Sequence, residues 1–206
     1  RDAQESRGLG DVYKRQNTKL ELEDDFSWNG RYYVYGYGKF QGSRTQLESA
    51  ITLAYDTYGT VVDSNSKLVW KRYRSTQASI DGIVPVTSGD SIVNAVVAVS
   101  NYLGADFNAV SYMEQGHTAV ETFDNISGVH GISLTGITYE KALSYVGDGS
   151  PVIARIGEDE YIIITAYNSS EIAYIEASTG AQKTVSMNEA GKMFSQGGNI
   201  YVTYYK

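Results

Sequence analysis

The sequence predicts an α+β fold, and three features predict it. Capped, helix-period stretches fill the middle of the chain between residues 90 and 146. After Pro151 the texture changes to β-rich segments separated by turns (GEDE, NSS) too short for a parallel crossover. The chain then closes on NIYVTYYK, a strand pattern that ties the C-terminus into the sheet. Helices first and an antiparallel sheet afterwards is the α+β order. The 206 residues are 42% hydrophobic and 20% charged, enough to bury a real core. The absence of Cys excludes thiol nucleophiles, disulfides and thiolate metal sites. The net charge of -7 argues against a general nucleic-acid binder, and no run of about 18 apolar residues is present to span a membrane. The most unusual count is 18 Tyr.

Residues 1–16 (RDAQESRGLGDVYKRQ) have neither helical nor strand period and resemble translated adapter read-through, so they are expected to be non-native and are set aside. Removing their four basic and three acidic residues leaves 13 basic and 21 acidic, a net charge of -8. The true N-terminus, with any signal peptide or upstream domains, is then expected to be missing. Residues 17–30 read as an acidic linker. A small βαββ unit is expected over 31–74. RYYVYGY alternates as a half-buried aromatic strand, and a Gly-spaced turn (Gly36, Gly38, Gly42) follows. Thr45 and Glu48 form a capping-box pattern ahead of the apolar stripe Leu47, Ala50, Ile51 and Ala54, which Gly59 ends. Two short strands, 60–63 and 67–71, flank the turn residues Ser64, Asn65 and Ser66.

Residues 75–89 are rich in turn formers and read as the connection to a second unit over 90–206. Asp90 or Ser91 caps a helix in which Ile92, Ala95, Val96, Val99 and Leu103 repeat at helical spacing, and Gly104 stops it. Nearly every position from Ile92 to Val99 is apolar or small, which predicts an enclosed helix. Capping boxes at Ser111/Glu114 and Thr118/Glu121 mark two shorter helices, and a fourth begins near Thr138 with Tyr139, Ala142, Leu143 and Val146 on one face. Strands follow at 152–156, 161–167 and 172–176, apolar enough to be covered on both faces. Ser186 with Glu189 caps a last helix, with Met187, Ala190 and Phe194 inward, before the closing strand.

Within this order, SIVNAVVAVSNYLG, GITYEKALSYVGDGSPVIARI and EYIIITAYNSSEIAYIEASTG give the segment 91–206 a resemblance to the papain-like cysteine peptidase fold in its bacteriocin-processing form. In such peptidases a small-residue helix carries the nucleophilic Cys at its N-terminal end, where the helix dipole lowers the thiol pKa. A His at the start of a later strand is the general base, and an Asp-Pro or Asn-Pro pair orients it. The resemblance places the nucleophile at or beside Ala95, in Asn94-Ala95. It places the base at Glu160, immediately before Tyr161, and the orienting acid at Glu176 of Glu176-Ala177. The oxyanion-donating Gln is replaced around Gly89 and Asp90. It therefore implies a degenerate, catalytically inactive domain with no cofactor and no metal. The old cleft around Asn94, Ala95, Glu160, Tyr161 and Glu176 is left to bind a peptide or a cell-envelope glycan. The unit over 31–71 resembles accessory units ahead of such domains in large exported proteins of Gram-positive gut bacteria, which implies an extracellular or cell-envelope location.

The remaining candidates each have a plainer alternative. A relocated hydrolase site needs a His, and Ser91 with His117 or His130 is the available pairing. Against it, His117 sits beside a capping Thr and His130 opens a short strand. Glu158, Asp159 and Glu160 could hold a hard cation with Glu176, or form a solvated hairpin tip. Asp63-Ser-Asn65-Ser-Lys67 starts like a calcium loop, but without its later Gly and Glu it reads as a turn. Gly36, Gly38 and Gly42 miss dinucleotide-loop spacing by one residue. Trp70, Lys71, Arg72, Tyr73 and Arg74 form a basic aromatic run suited to a base or a sugar, or to contact between the two units. Tyr32, Tyr33, Tyr35, Tyr37, Tyr201, Tyr204 and Tyr205 lie on expected strands, where they either pack or bind. A binding or scaffolding module is the function expected first. A hydrolase with a relocated site, or a structural spacer, stands as the alternative.

Overall fold

The computed structural model describes residues 30–72 and 75–206; the expectations for 1–16, for 17–29 and for Tyr73 and Arg74 lie outside them. The chain is mixed α+β, and all strand pairs among the described residues are antiparallel. The first sheet has the order β2-β1-β3-β4, from β1 (Tyr32–Gly36), β2 (Lys39–Arg44), β3 (Thr60–Val62) and β4 (Leu68–Lys71). Helix α1 (Leu47–Asp56) lies between β2 and β3 in sequence and buries Leu47, Ala50, Ile51 and Ala54. The unit is thus ββαββ, one strand more than expected. Tyr37 (φ 50) and Gly38 (φ 74) are both left-handed, as a type I′ hairpin turn requires, but Tyr is an unusual residue for the first of those positions. Gly42 (φ 133) accompanies a bulge opposite Val34 and Tyr35, so the strand's alternation is broken.

The Thr45/Glu48 capping box does not form. Gln46 is the N-cap and makes no side-chain cap bond, while Glu48 Oε1 accepts from the Thr135 N–H at 3.2 Å, in the other unit. At the helix end the left-handed residue is Tyr58 (φ 53), not Gly59. Gly59 answers a different need, because a Cβ there would stand 1.9 Å from the Tyr35 carbonyl oxygen.

The second sheet runs β10-β9-β8-β7-β11-β6. Its strands are β6 (His130–Thr135), β7 (Val152–Arg155), β8 (Tyr161–Tyr167), β9 (Glu171–Glu176), β10 (Gln182–Ser186) and β11 (Ile200–Tyr205). The short β5 (Ala78–Ser79) pairs with the end of β8. Since β9 lines β8 as far as Tyr167, β5 occupies the lane beyond the end of β7. The 75–89 stretch thus adds a strand to the sheet and buries Ile80 and Ile83. Ile162, Ile163 and Ile164 are all buried although neighbours point to opposite faces, so the sheet is covered on both sides.

Helix α2 (Ser91–Tyr102) is enclosed, with every residue from Asn94 to Ser100 buried. For α3 (Ala109–Glu114) the cap is Asn108, whose Oδ1 accepts from the Ser111 N–H, in place of the Ser111/Glu114 box. The Thr118/Glu121 box forms at α4 (Ala119–Asp124), and Ser186 caps α6 (Met187–Gln196) by accepting from the Glu189 N–H. Helix α5 (Tyr139–Gly147) turns Ala142, Leu143 and Val146 inward.

The two sheets share one continuous core. Trp70, 2% exposed, donates from Nε1 to the Lys141 carbonyl at 2.9 Å, and Lys141 Nζ returns to Thr52 Oγ1 at 3.0 Å. The basic aromatic run is therefore divided: Trp70 packs inward and belongs to the junction, while Lys71 is exposed. Strand alternation separates these two neighbours. Trp70→Phe is expected to lower stability by about 1–3 kcal/mol by leaving the Lys141 carbonyl unpaired. Urea denaturation should show the lower midpoint and still a single transition, because one core serves both sheets.

Candidate functional site

The region singled out by sequence lies where the start of α2 meets the start of β8. Asp90 is the N-cap of α2 but makes no side-chain cap bond. Ser91 is the first helical residue, and its hydroxyl accepts from the Tyr161 N–H at 2.9 Å and donates to the Tyr161 carbonyl at 3.3 Å. One turn on, Asn94 is 1% exposed and satisfies its whole carboxamide with backbone. Oδ1 accepts from the Gly89 N–H (2.8 Å), while Nδ2 donates to the Gly89 carbonyl (2.8 Å) and the Ala177 carbonyl (3.0 Å). Ala95 is wholly buried.

The residue at the helix start is Ser91, beside Tyr161, and Ala95 lies one turn further on. Four residues bring a helix back to the same face, so the two positions share one side of α2.

Glu160 is solvent-exposed, and its carbonyl accepts from the Ile156 N–H at 2.9 Å, closing a tip on which Glu158 and Asp159 are also exposed. Glu176 is not free to orient a base. Lys183 across on β10 pairs with its Oε1, and Thr179 Oγ1 donates to its Oε2 at 2.9 Å. Those bonds, Lys183 first, hold the Glu176 carboxyl below the usual carboxylate range. Among the described residues no three of His, Asp and Glu gather as a metal-ligand set. Asp63 is a turn residue, accepting on Oδ1 from the Asn65 and Lys67 N–H groups.

The structure does not bring Ser91 together with either His. His117 stacks on Tyr112 at 3.8 Å with its Nδ1 3.9 Å from Glu121, and His130 stacks on Tyr205 at 5.0 Å. The Ser91 hydroxyl is already committed to Tyr161. Open space lies elsewhere. A groove of about 400 Å³ runs between Ser79, Ile80 and Asp81 and the strands bearing Thr165, Ile175 and Lys183. It adjoins a second groove of about 500 Å³ through Ser79, Ala166, Ala173 and Thr184. Neither is lined by Asn94, Ala95, Glu160 or Tyr161.

The tyrosines separate by sheet. Tyr201 and Tyr204 are core residues, and burial pushes the Tyr204 hydroxyl up to about 12. Tyr33 and Tyr35 are half-buried on the first sheet, with the exposed Phe40 beside them. Sequence reasoning missed Phe40 because β2 itself was missed, although the alternation of RYYVYGY pointed to the tyrosines.

No protein-family model matches the chain, and no curated protein matches it. Among solved structures, the chain is similar to that of a Bacillus anthracis protein provisionally assigned as a C39-like peptidase, with 11% identity and a TM-score of 0.52, covering 64% of this chain and 98% of that one. The likeness is one of fold, and the relationship to that peptidase-like fold is distant. No helix among the described residues is long and apolar enough to cross a membrane.

Asn94→Ala is expected to cost about 1–3 kcal/mol, since it orphans the buried Ala177 carbonyl and releases both backbone groups of the more exposed Gly89. Asn94→Asp tests the donors alone. An ionised carboxylate there faces the Gly89 and Ala177 carbonyls, so its folded-state pKa rises above the unfolded value of about 3.9. The deficit should be smallest below that pH and grow as pH rises through the folded-state value, which urea titrations at several pH values will read.

Proposed function

We propose that residues 90–206 form a papain-type, C39-like domain that has lost peptidase chemistry. In this reading it serves as a binding or scaffolding module of a larger exported or cell-surface bacterial protein. The observation that carries the proposal is the state of Ser91. The one hydroxyl at the helix start donates its proton to the Tyr161 carbonyl and accepts from the Tyr161 N–H, so it is a structural staple rather than a nucleophile. The absence of any Cys and the carboxylate of Glu160 in the base position support the same conclusion. A carboxylate there has no nucleophile to activate.

Burial of Asn94 and Ala95 supports a second, purely structural reading of the old cleft. A ligand, peptide or glycan, must then be taken elsewhere on the molecule. The 31–74 unit and any upstream domains are the remaining places.

Incubation of the full chain with a fluorophosphonate probe and with a peptide library is expected to give no labelling of Ser91 and no cleavage. Labelling that disappears in Ser91→Ala would overturn the non-catalytic reading. Sequencing the intact gene should reveal an export signal or an envelope anchor, and a gene without either would overturn the proposed location.

A further inference from the structure

The charge of this chain is divided between its two sheets. Residues 30–72 hold six basic side chains and three acidic ones, net +3, whereas residues 75–206 hold five basic and 14 acidic, net -9. Of the three acids, Glu48 reaches the Thr135 N–H in the other unit, Asp63 is a buried turn residue, and Asp56 sits at the end of α1.

The outer face of the first sheet is fixed by register. Val34 and Val61 are paired and wholly buried. Tyr33, Tyr35 and Thr60 therefore point away from the core, and Phe40, Ser43 and Lys71 join them as their cross-strand partners. Three rings line up there: Phe40 lies 5.5 Å from Tyr35 and 6.5 Å from Tyr33, and is itself 54% exposed. Exposed cations stand at both flanks. Arg31 spends one guanidinium N–H on Ser43 Oγ at 3.2 Å, and Lys71 sits across from Thr60. Among the described residues no acidic side chain occupies this face.

We propose that the outer face of the β2-β1-β3-β4 sheet binds an acidic polysaccharide. The Tyr33 and Phe40 rings would take the C–H faces of successive sugars, and Arg31 and Lys71 would take their carboxylates. Ring separations of this size suit one sugar per ring, and tyrosine offers an apolar body with a hydroxyl for the sugar's own hydroxyl groups. Charge selects the acidic class, because among the described residues the face is cationic while residues 75–206 are strongly anionic. That negative charge, with only two flanking cations, disfavours a nucleic acid and its dense phosphates. The inference is independent of how the α2–β8 region lost its chemistry.

Affinity electrophoresis of the full chain in gels containing polygalacturonate, its methyl ester or oligodeoxythymidylate tests it. Polygalacturonate is expected to retard the protein, less so as salt is added, and the uncharged ester to retard it less. Arg31→Ala with Lys71→Ala, and separately Phe40→Ala, should weaken retention roughly tenfold. These side chains are exposed, so circular dichroism should remain unchanged, and Ser91→Ala should bind like the parent. The proposal is overturned by no retardation in polygalacturonate, by retardation that the face variants leave intact, or by stronger retention on the oligonucleotide.

Discussion

The carboxamide of Asn94 fixes three backbone segments at once. A buried polar side chain is tolerated only when its hydrogen-bonding capacity is met, and Asn94 meets it with both backbone groups of Gly89 and with the Ala177 carbonyl. That places the loop ahead of α2, the helix and the end of β9 in one arrangement. A helix as uniformly apolar as α2 has no polar face to orient it, so its position depends on this amide and on the Ser91 bonds to Tyr161 one turn earlier. The start of α2 is thus occupied by bonds that hold the domain together.

A second compensation operates in the first sheet. Tyr58 adopts a left-handed backbone, which costs a non-glycine residue about 1–2 kcal/mol. The Arg72 guanidinium lies over both the Tyr58 ring (3.9 Å) and the Tyr55 ring (4.1 Å), and bonds the Tyr55 carbonyl as well. Cation–π contact of this kind offsets strain of that size. The arrangement also holds Tyr58 outward beside Tyr37, another left-handed tyrosine, with ring centres 6.2 Å apart. Aromatic residues at this end of the molecule are thus set by local backbone and charge rather than by a core.

The parts legible in sequence were those governed by short-range periodicity. The α2 pattern gave an enclosed helix, Thr118 and Glu121 gave a true box, and the isoleucines of β8 gave a sheet covered on both faces. The illegible parts depended on partners distant in sequence. Glu48 looks like a capping residue until Thr135 arrives to use it. β10, with its polar QKTVS, is a strand only because β9 presents an edge, and β5 because the lane beyond β7 was vacant. At the candidate site the residue types were readable, but the backbone groups that Ser91 and Asn94 bind were not. Ser91 reads in sequence as a helix cap or a nucleophile, and nothing in its neighbours signals the Tyr161 backbone some 70 residues away.

The position of β11 bears on how the molecule is made. It is the last strand in sequence, yet it lies between β7 and β6, pairing Tyr201 with both Ala154 and Leu134. During synthesis, β6 and β7 emerge early and must wait with unpaired edges until residues 200–205 have cleared the ribosome. The free edge of β7, with Val152 and Ile153, and the whole of β6 are the segments most exposed to wrong pairing in that interval. Of the described strands the one that joins β6 to β7 is made last, and a nascent chain that has not yet released residues 200–205 carries a split sheet.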